Sequence, residues 1–254
     1  MSDDLAACAG IVEKGDPARF RAVMAAPPKS RAALFPLYAF NVEVARAPWV
    51  TAEPGIAEIR LQWWIDALEE IAAGGTVRRH EVVVPLALQL SADQARALVP
   101  LVEARSRDIY CDPFADQEAL MRYLDVTSGR LLEVAAALLG QDRPEAARNA
   151  GRAQGVANWL IAVPALKAAA RQPLPEDSDA AIAYLAQAGI EALSRARSDA
   201  IVASARPAFL SLAGTQRVLD LARRRPSRVL TGNLAPSPFR AHLELMKAAL
   251  LNRW

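Results

Sequence analysis

The chain has 254 residues, 53% hydrophobic and 23% charged, which supplies a sizeable core and excludes wholesale disorder. Thirty Lys and Arg against 28 Asp and Glu leave a formal charge of +2, too small to imply nucleic acid as a partner. Two distant cysteines, Cys8 and Cys111, predict a reduced cytoplasmic protein rather than a disulfide scaffold. Only 12 glycines and a heavy use of Ala, Leu and Arg favour helix over sheet. No uninterrupted apolar run reaches the roughly 18 residues of a transmembrane helix, so none is predicted. The opening MSDDLAAC is acidic where a signal peptide is basic, which argues against secretion.

In chain order, a short amphipathic lead-in surrounds Leu5, Ile11 and Val12. Asp16-Pro17 then starts a helix, with Asp as N-cap and Pro at the first helical position, and Pro27-Pro28 ends it. The stretch Arg31–Glu70 organises the chain. Ser30 is the expected N-cap of its first helix, in which Leu34, Leu37, Tyr38, Val42 and Ala45 share a face. Pro48 and Pro54-Gly55 break the pattern, and Ile59, Trp63, Ala67 and Ile71 resume it as a buried stripe at four-residue spacing. Trp63 and Trp64 stand about 100° apart on a helix and cannot both face one core.

After Gly74-Gly75, the run HEVVVPLALQL reads as a buried helix from Val84 to Leu90 opened by Pro85, because a lone strand has nothing to pair with. Ser91 caps the next helix, carrying Leu98, Leu101, Val102, Arg105 and Ile109, and CDPFAD is a turn. Asp116 to Gly140 is the longest pattern and should lie centrally, with Gly129 inviting close approach by a helix or ligand. A helix opened by Pro144 reaches Ala170 with an interruption at Pro164. Further helices are expected at Asp179–Ala188, Ile190–Arg206 and Ala208–Arg225. Ser237-Pro238 starts the last, whose buried stripe is Phe239, Leu243, Met246, Leu250 and Trp254. No repeat, low-complexity tract or long linker divides residues 1–254, so one all-α domain is expected.

The segments ALFPLYAFNVEVA and EIRLQWWIDALEEIAAG resemble the first block of the squalene/phytoene synthase family, all-helical enzymes that join two prenyl diphosphates head to head. YAFNVEVA and GRAQGVANWLIAVP are most similar to the branch of that family that assists assembly of mitochondrial respiratory complex I. The likeness runs from about Asp16 to the C-terminus and implies the isoprenoid synthase fold, a helical bundle around a central cavity. It also implies that the helices at Arg31–Ala47 and Pro144–Ala170 face each other across the centre.

The family's enzymes carry two DxxxD pairs that hold Mg²⁺ ions on the diphosphates; acids four residues apart lie on one helical face. By the resemblance these positions fall at Ala45 and Trp49, and at Leu166 and Ala170, none of which offers an oxygen ligand. The family's neighbouring arginine and asparagine appear as Ala165 and Ala162. Tyr123 and Gly129 keep the family's YxxxxxG pattern, but its following TVG is Arg130-Leu131-Leu132, with side chains expected to fill substrate space. Other acids read as caps or solvated loops: Asp112 and Asp116 flank Pro113 in a turn, and Glu176, Asp177 and Asp179 lie in a loop. His80 and His242 are too few for a Ser-His-Asp or His-rich metal site. Arg223–Arg225 reads as a solvated helix end, with a lipid-headgroup contact as the other reading.

The resemblance therefore implies a pseudoenzyme: no catalytic residue, no metal, no cofactor, and a role in complex I assembly. Its partners would be complex I subunits or assembly intermediates and a lipid or membrane surface, with no nucleic acid. Its place would be the cytoplasm, peripheral at the inner face of the cytoplasmic membrane. The alternative is a prenyl-diphosphate-using transferase with a divergent site. A residual, reduced and largely apolar pocket is expected to be lined by Tyr38, Asn41, Glu43, Trp49, Arg60, Trp63, Tyr123, Gly129, Gln154 and Asn158. Trp63 and Trp64 pack first into the core, and Glu43 with Asn41 is expected to form a buried hydrogen-bonded pair with Arg60.

Overall fold

A computed structural model describes residues 3–251 and Trp254, and among these the chain is all-α, with no strand. It forms two compact units, each assembled from separated segments. The first contains residues 1–110, 134–142 and 202–211, and the second residues 111–133, 143–201 and 212–254.

The first unit begins with α1 (Asp3–Gly15), α2 (Pro17–Ala25) and α3 (Pro28–Arg46). Asp16 caps α2 as expected, accepting a hydrogen bond from the Arg19 amide at 3.0 Å. The start of α3 differs from expectation. It begins at Pro28, without a side-chain cap, and Ser30 is buried as its third residue. Proline at the first position has no N–H to leave orphaned, so the turn forms without Ser30. Eleven α3 residues, from Ser30 to Val44, are buried, and α3 packs on α1 and α5.

A 3₁₀ turn (Ala47–Trp49) follows, and Pro54 then opens α4 (Pro54–Ala73) rather than breaking a helix. Gly74 closes α4 in the left-handed conformation, φ 71°. The buried stripe of α4 is Ala57, Leu61, Trp64, Leu68 and Ile71, with Ala67 beside it. Ile59 is 70% exposed, which corrects the four-residue stripe. A strict four-residue ladder drifts about 40° per step, whereas alternating steps of four and three keep one face.

α5 (Val83–Ala87) confirms helix over strand for the valine run, although it starts before Pro85. Ser91 caps α6 (Ala92–Ala104) in a full capping box with Gln94, and α4 packs on α6. α6 ends at Ala104, so Ile109 belongs to the separate turn α7 (Arg107–Tyr110).

In the second unit, Asp116 caps α8 (Gln117–Leu124) through the Ala119 amide at 2.7 Å. The expected continuous helix is then interrupted by a π turn (Asp125–Gly129) before α9 (Arg130–Leu138); from residue 134 on, the run belongs to the first unit, where Gly140 closes it at φ 94°. α10 (Pro144–Ala168) runs on through Pro164 instead of stopping there, and packs on the π turn and on α11. α11 (Asp179–Ser198) is one helix where two were expected. Gly189 does not break it. Its missing side chain admits Leu219, whose Cδ2 would lie 2.9 Å from an added Cβ.

α12 (Arg206–Phe209) lies in the first unit, while α13 (Thr215–Arg224), α14 (Ser227–Leu230) and α15 (Pro238–Leu251) complete the second. The largest departure is α15. Its periodicity is as expected, but the stripe faces outward: Phe239 is 80% and Leu250 76% exposed, and among the described residues of α15 only Ala248 is buried.

Candidate functional site

The first unit carries six of the ten candidate lining residues. Tyr38 lies in the middle of the buried face of α3, and its hydroxyl has no hydrogen-bond partner. The Ser211 hydroxyl is close enough to favour the phenolate slightly but falls outside hydrogen-bond geometry. Arg19 stands over the ring, its guanidinium carbon 5.4 Å from the centroid, held there by Asp16 at 2.7 Å. Burial pushes the Tyr38 phenol up to about 12, with Arg19 pulling it back. Asn41 is buried one turn further on.

Glu43 does not pair with Arg60. It reaches Arg46 on its own helix at 3.1 Å, while Arg60 is exposed and makes no hydrogen bond or ion pair among the described residues. Glu43 and Arg46 are three residues apart and already neighbours on one face, so the pair forms without a second helix. Trp49, at the end of the 3₁₀ turn, is 48% exposed.

The tryptophan pair divides as geometry requires. Trp64 enters the core edge-on to Phe40 at 5.4 Å, and Trp63 turns outward. His80 stacks against both rings at 5.0 and 5.4 Å. Arg78 covers the outer Trp63 face at 4.8 Å and is clamped by Glu70, which accepts at 2.6 Å and also binds the Arg78 amide. The Arg78 hydrogen bonds hold the Glu70 carboxyl below its usual range. Trp63 is thus the floor of a closed cation–ring stack.

In the second unit, Tyr123 belongs to a three-ring cluster with Phe114 and Trp159, centroids 5.5 to 5.8 Å apart. The Thr127 hydroxyl donates to the Tyr123 carbonyl at 2.7 Å, within the π turn. Gly129 lets α10 approach closely. A Cβ on Gly151 of α10 would lie 2.9 Å from the Gly129 Cα and 2.5 Å from the Ser128 carbonyl oxygen. Leu132 is buried and closes on the same glycine, with its Cβ 2.9 Å from that position.

Arg130 does not fill space with an idle side chain; it pairs with Glu133 at 2.8 Å, and Arg148 of α10 takes the other carboxylate oxygen at 2.8 Å. Arg152 holds Asp125 at 2.8 Å. The Glu133 hydrogen bond holds the Arg148 pKa above its ordinary value. The acids of this central segment are therefore committed to arginines. Gln154 is buried on α10 and Asn158 exposed.

These residues do not fit a pair of Mg²⁺ sites. Ala45, Trp49, Leu166 and Ala170, where the resemblance puts the family's donors, carry no side-chain oxygen, Asp116 is occupied as a cap, and Asp177 is bound by Lys167. Among the described residues no three His, Cys, Asp or Glu stand together as a metal set. Sequence reasoning did miss one cluster. Arg217, Arg228 and Arg240 line a cavity of about 170 Å³ below α15, and the high density of arginine after residue 215 was its only signal.

The profile of the squalene/phytoene synthase family matches residues 12–180, and the chain belongs to that family. It is 26% identical over 166 residues to human "NADH dehydrogenase (ubiquinone) complex I, assembly factor 6", covering 62% of this chain and 48% of that protein. It is 30% identical over 178 residues to the Drosophila melanogaster homolog of that factor, covering 66% and 52%. The chain thus spans about half the length of the curated relatives it matches. Its fold is that of a dehydrosqualene synthase, with a TM-score of 0.77 at 17% identity over 99% of this chain and 97% of that one. Squalene synthase HpnC from Alicyclobacillus acidocaldarius follows at 0.70 and 18%, covering 88% and 94%. No helix of the described residues is long and apolar enough to cross a membrane.

Proposed function

We propose that this chain is a non-catalytic member of the squalene/phytoene synthase family that assists assembly of respiratory complex I. What supports it is that Asp125 and Glu133 are committed to arginines, and that Ala45, Trp49, Leu166 and Ala170, where the resemblance puts the family's oxygen donors, offer none. The names of the curated relatives support the assembly role. Its partners are complex I subunits or assembly intermediates, and it works in the cytoplasm, peripheral at the inner face of the membrane. It takes no cofactor, and a diphosphate substrate has no metal bridge to the protein.

A deletion strain separates this from the prenyltransferase reading. Loss of complex I activity with unchanged carotenoid and hopanoid content is the expected result. Unchanged complex I with lost isoprenoid products reverses the assignment.

A further inference from the structure

We propose that the α13–α15 face docks on an anionic lipid bilayer, with α15 lying in the plane of the headgroups. The inference rests on the peripheral placement proposed above and supplies the surface for it. Phe239, Leu243, Met246 and Leu250 fall within an arc of about 60° at 100° per residue. All four are exposed, whereas Ala241, Leu245 and Ala248 occupy the opposite arc and are turned inward. A row of long apolar side chains bared to water along a helix of 14 residues is a cost that burial in acyl chains removes. Arg240 and Lys247, at about 100° and 80° on the same wheel, both border one edge of the row, from which long side chains can reach the phosphate level.

Charge selects the occupant. Residues 215–251 hold seven Lys or Arg against two Asp or Glu, a local charge of +5 on a chain whose total is +2. The partner must therefore be acidic, which disfavours a second copy of the same basic face. Beside α15, the cavity of about 170 Å³ is lined by Arg217, Arg228 and Arg240. Their guanidinium groups make no hydrogen bond or ion pair among the described residues. Three arginines without an ion-pair partner lining a concavity next to an apolar row match a phosphodiester headgroup with its acyl chains.

Flotation of the full chain with vesicles tests this. One set is phosphatidylcholine alone and the other contains about 30% phosphatidylglycerol. The expected result is roughly tenfold more protein on the anionic vesicles, lost in about 0.5 M salt. F239S/M246S should lower that binding about tenfold, and R228Q/R240Q should remove the preference for anionic lipid. These side chains are at the surface, and an unchanged circular dichroism spectrum and melting point confirm that the variants fold. Equal binding to both vesicle types, no binding, or variants that bind like the parent would overturn the proposal. So would a concentration-dependent dimer abolished by F239S/M246S, or capture by polyglutamate in place of vesicles. A protein that ignores vesicles yet is needed for complex I would sink this inference and leave the assembly role standing.

Discussion

Tyr38 and Cys8 are two weak acids that the first unit keeps neutral. Burial is the main cause in both, and each is pushed up to about 12, from ordinary values of 10.0 and 9.0. The unfolded chain releases these protons first, so between pH 9 and 12 it binds fewer protons than the folded chain. The associated stability is whole below pH 9 and is lost as pH rises towards 12, by up to about 1.4 kcal/mol per pH unit for each group. Urea midpoints should therefore fall between pH 8 and pH 10.5, and Tyr38→Phe should shallow the decline. Because the Tyr38 hydroxyl has no partner, that variant should cost less than about 1 kcal/mol at pH 8. A pH-independent midpoint would contradict the burial argument. At the same scale, Gly151→Ala forces a methyl to 2.5 Å from the Ser128 carbonyl oxygen and should cost about 1–3 kcal/mol, read as a lower melting point.

Elements were legible in the sequence where a local device decides them. Asp16, Ser91 and Asp116 each cap the helix they precede, because an N-cap needs only its own next three residues. Ser91→Ala should accordingly cost about 1 kcal/mol, since both halves of its box with Gln94 are made. An unchanged unfolding midpoint would show that α6 is held by packing alone. Elements were misread where neighbours decide. Gly189 looks like a break until Leu219 occupies its empty side, and the stripe of α4 depends on which helix it meets. The row on α15 has the periodicity of a core face, and periodicity alone does not say which side is water. Among the candidate residues, Tyr123 packs in a ring cluster and Gly129 lies against Gly151 of α10, contacts that a pattern along one chain segment does not reveal. The pairing expected of Arg60 with Glu43 fails because Glu43 is already satisfied by Arg46 within α3.

At the scale of the whole molecule, the chain has the fold of a synthase, and fold alone does not assign chemistry; the proposal is that the donor set is missing. Purified protein supplied with Mg²⁺ and farnesyl or geranylgeranyl diphosphate should form no squalene or phytoene above a protein-free control. Product above that control would restore the enzyme reading.

The uneven placement of arginine has a consequence at the bench. The isoelectric point is about 8.7, so at pH 9 the whole chain is slightly negative. Six of the seven cations of residues 215–251 are arginines. A cation-exchange resin senses the nearest patch within about 10 Å in dilute salt rather than the molecular total. The protein should therefore be retained at pH 9 on a resin that bears its own sign of charge, and R217Q/R228Q/R240Q should pass through.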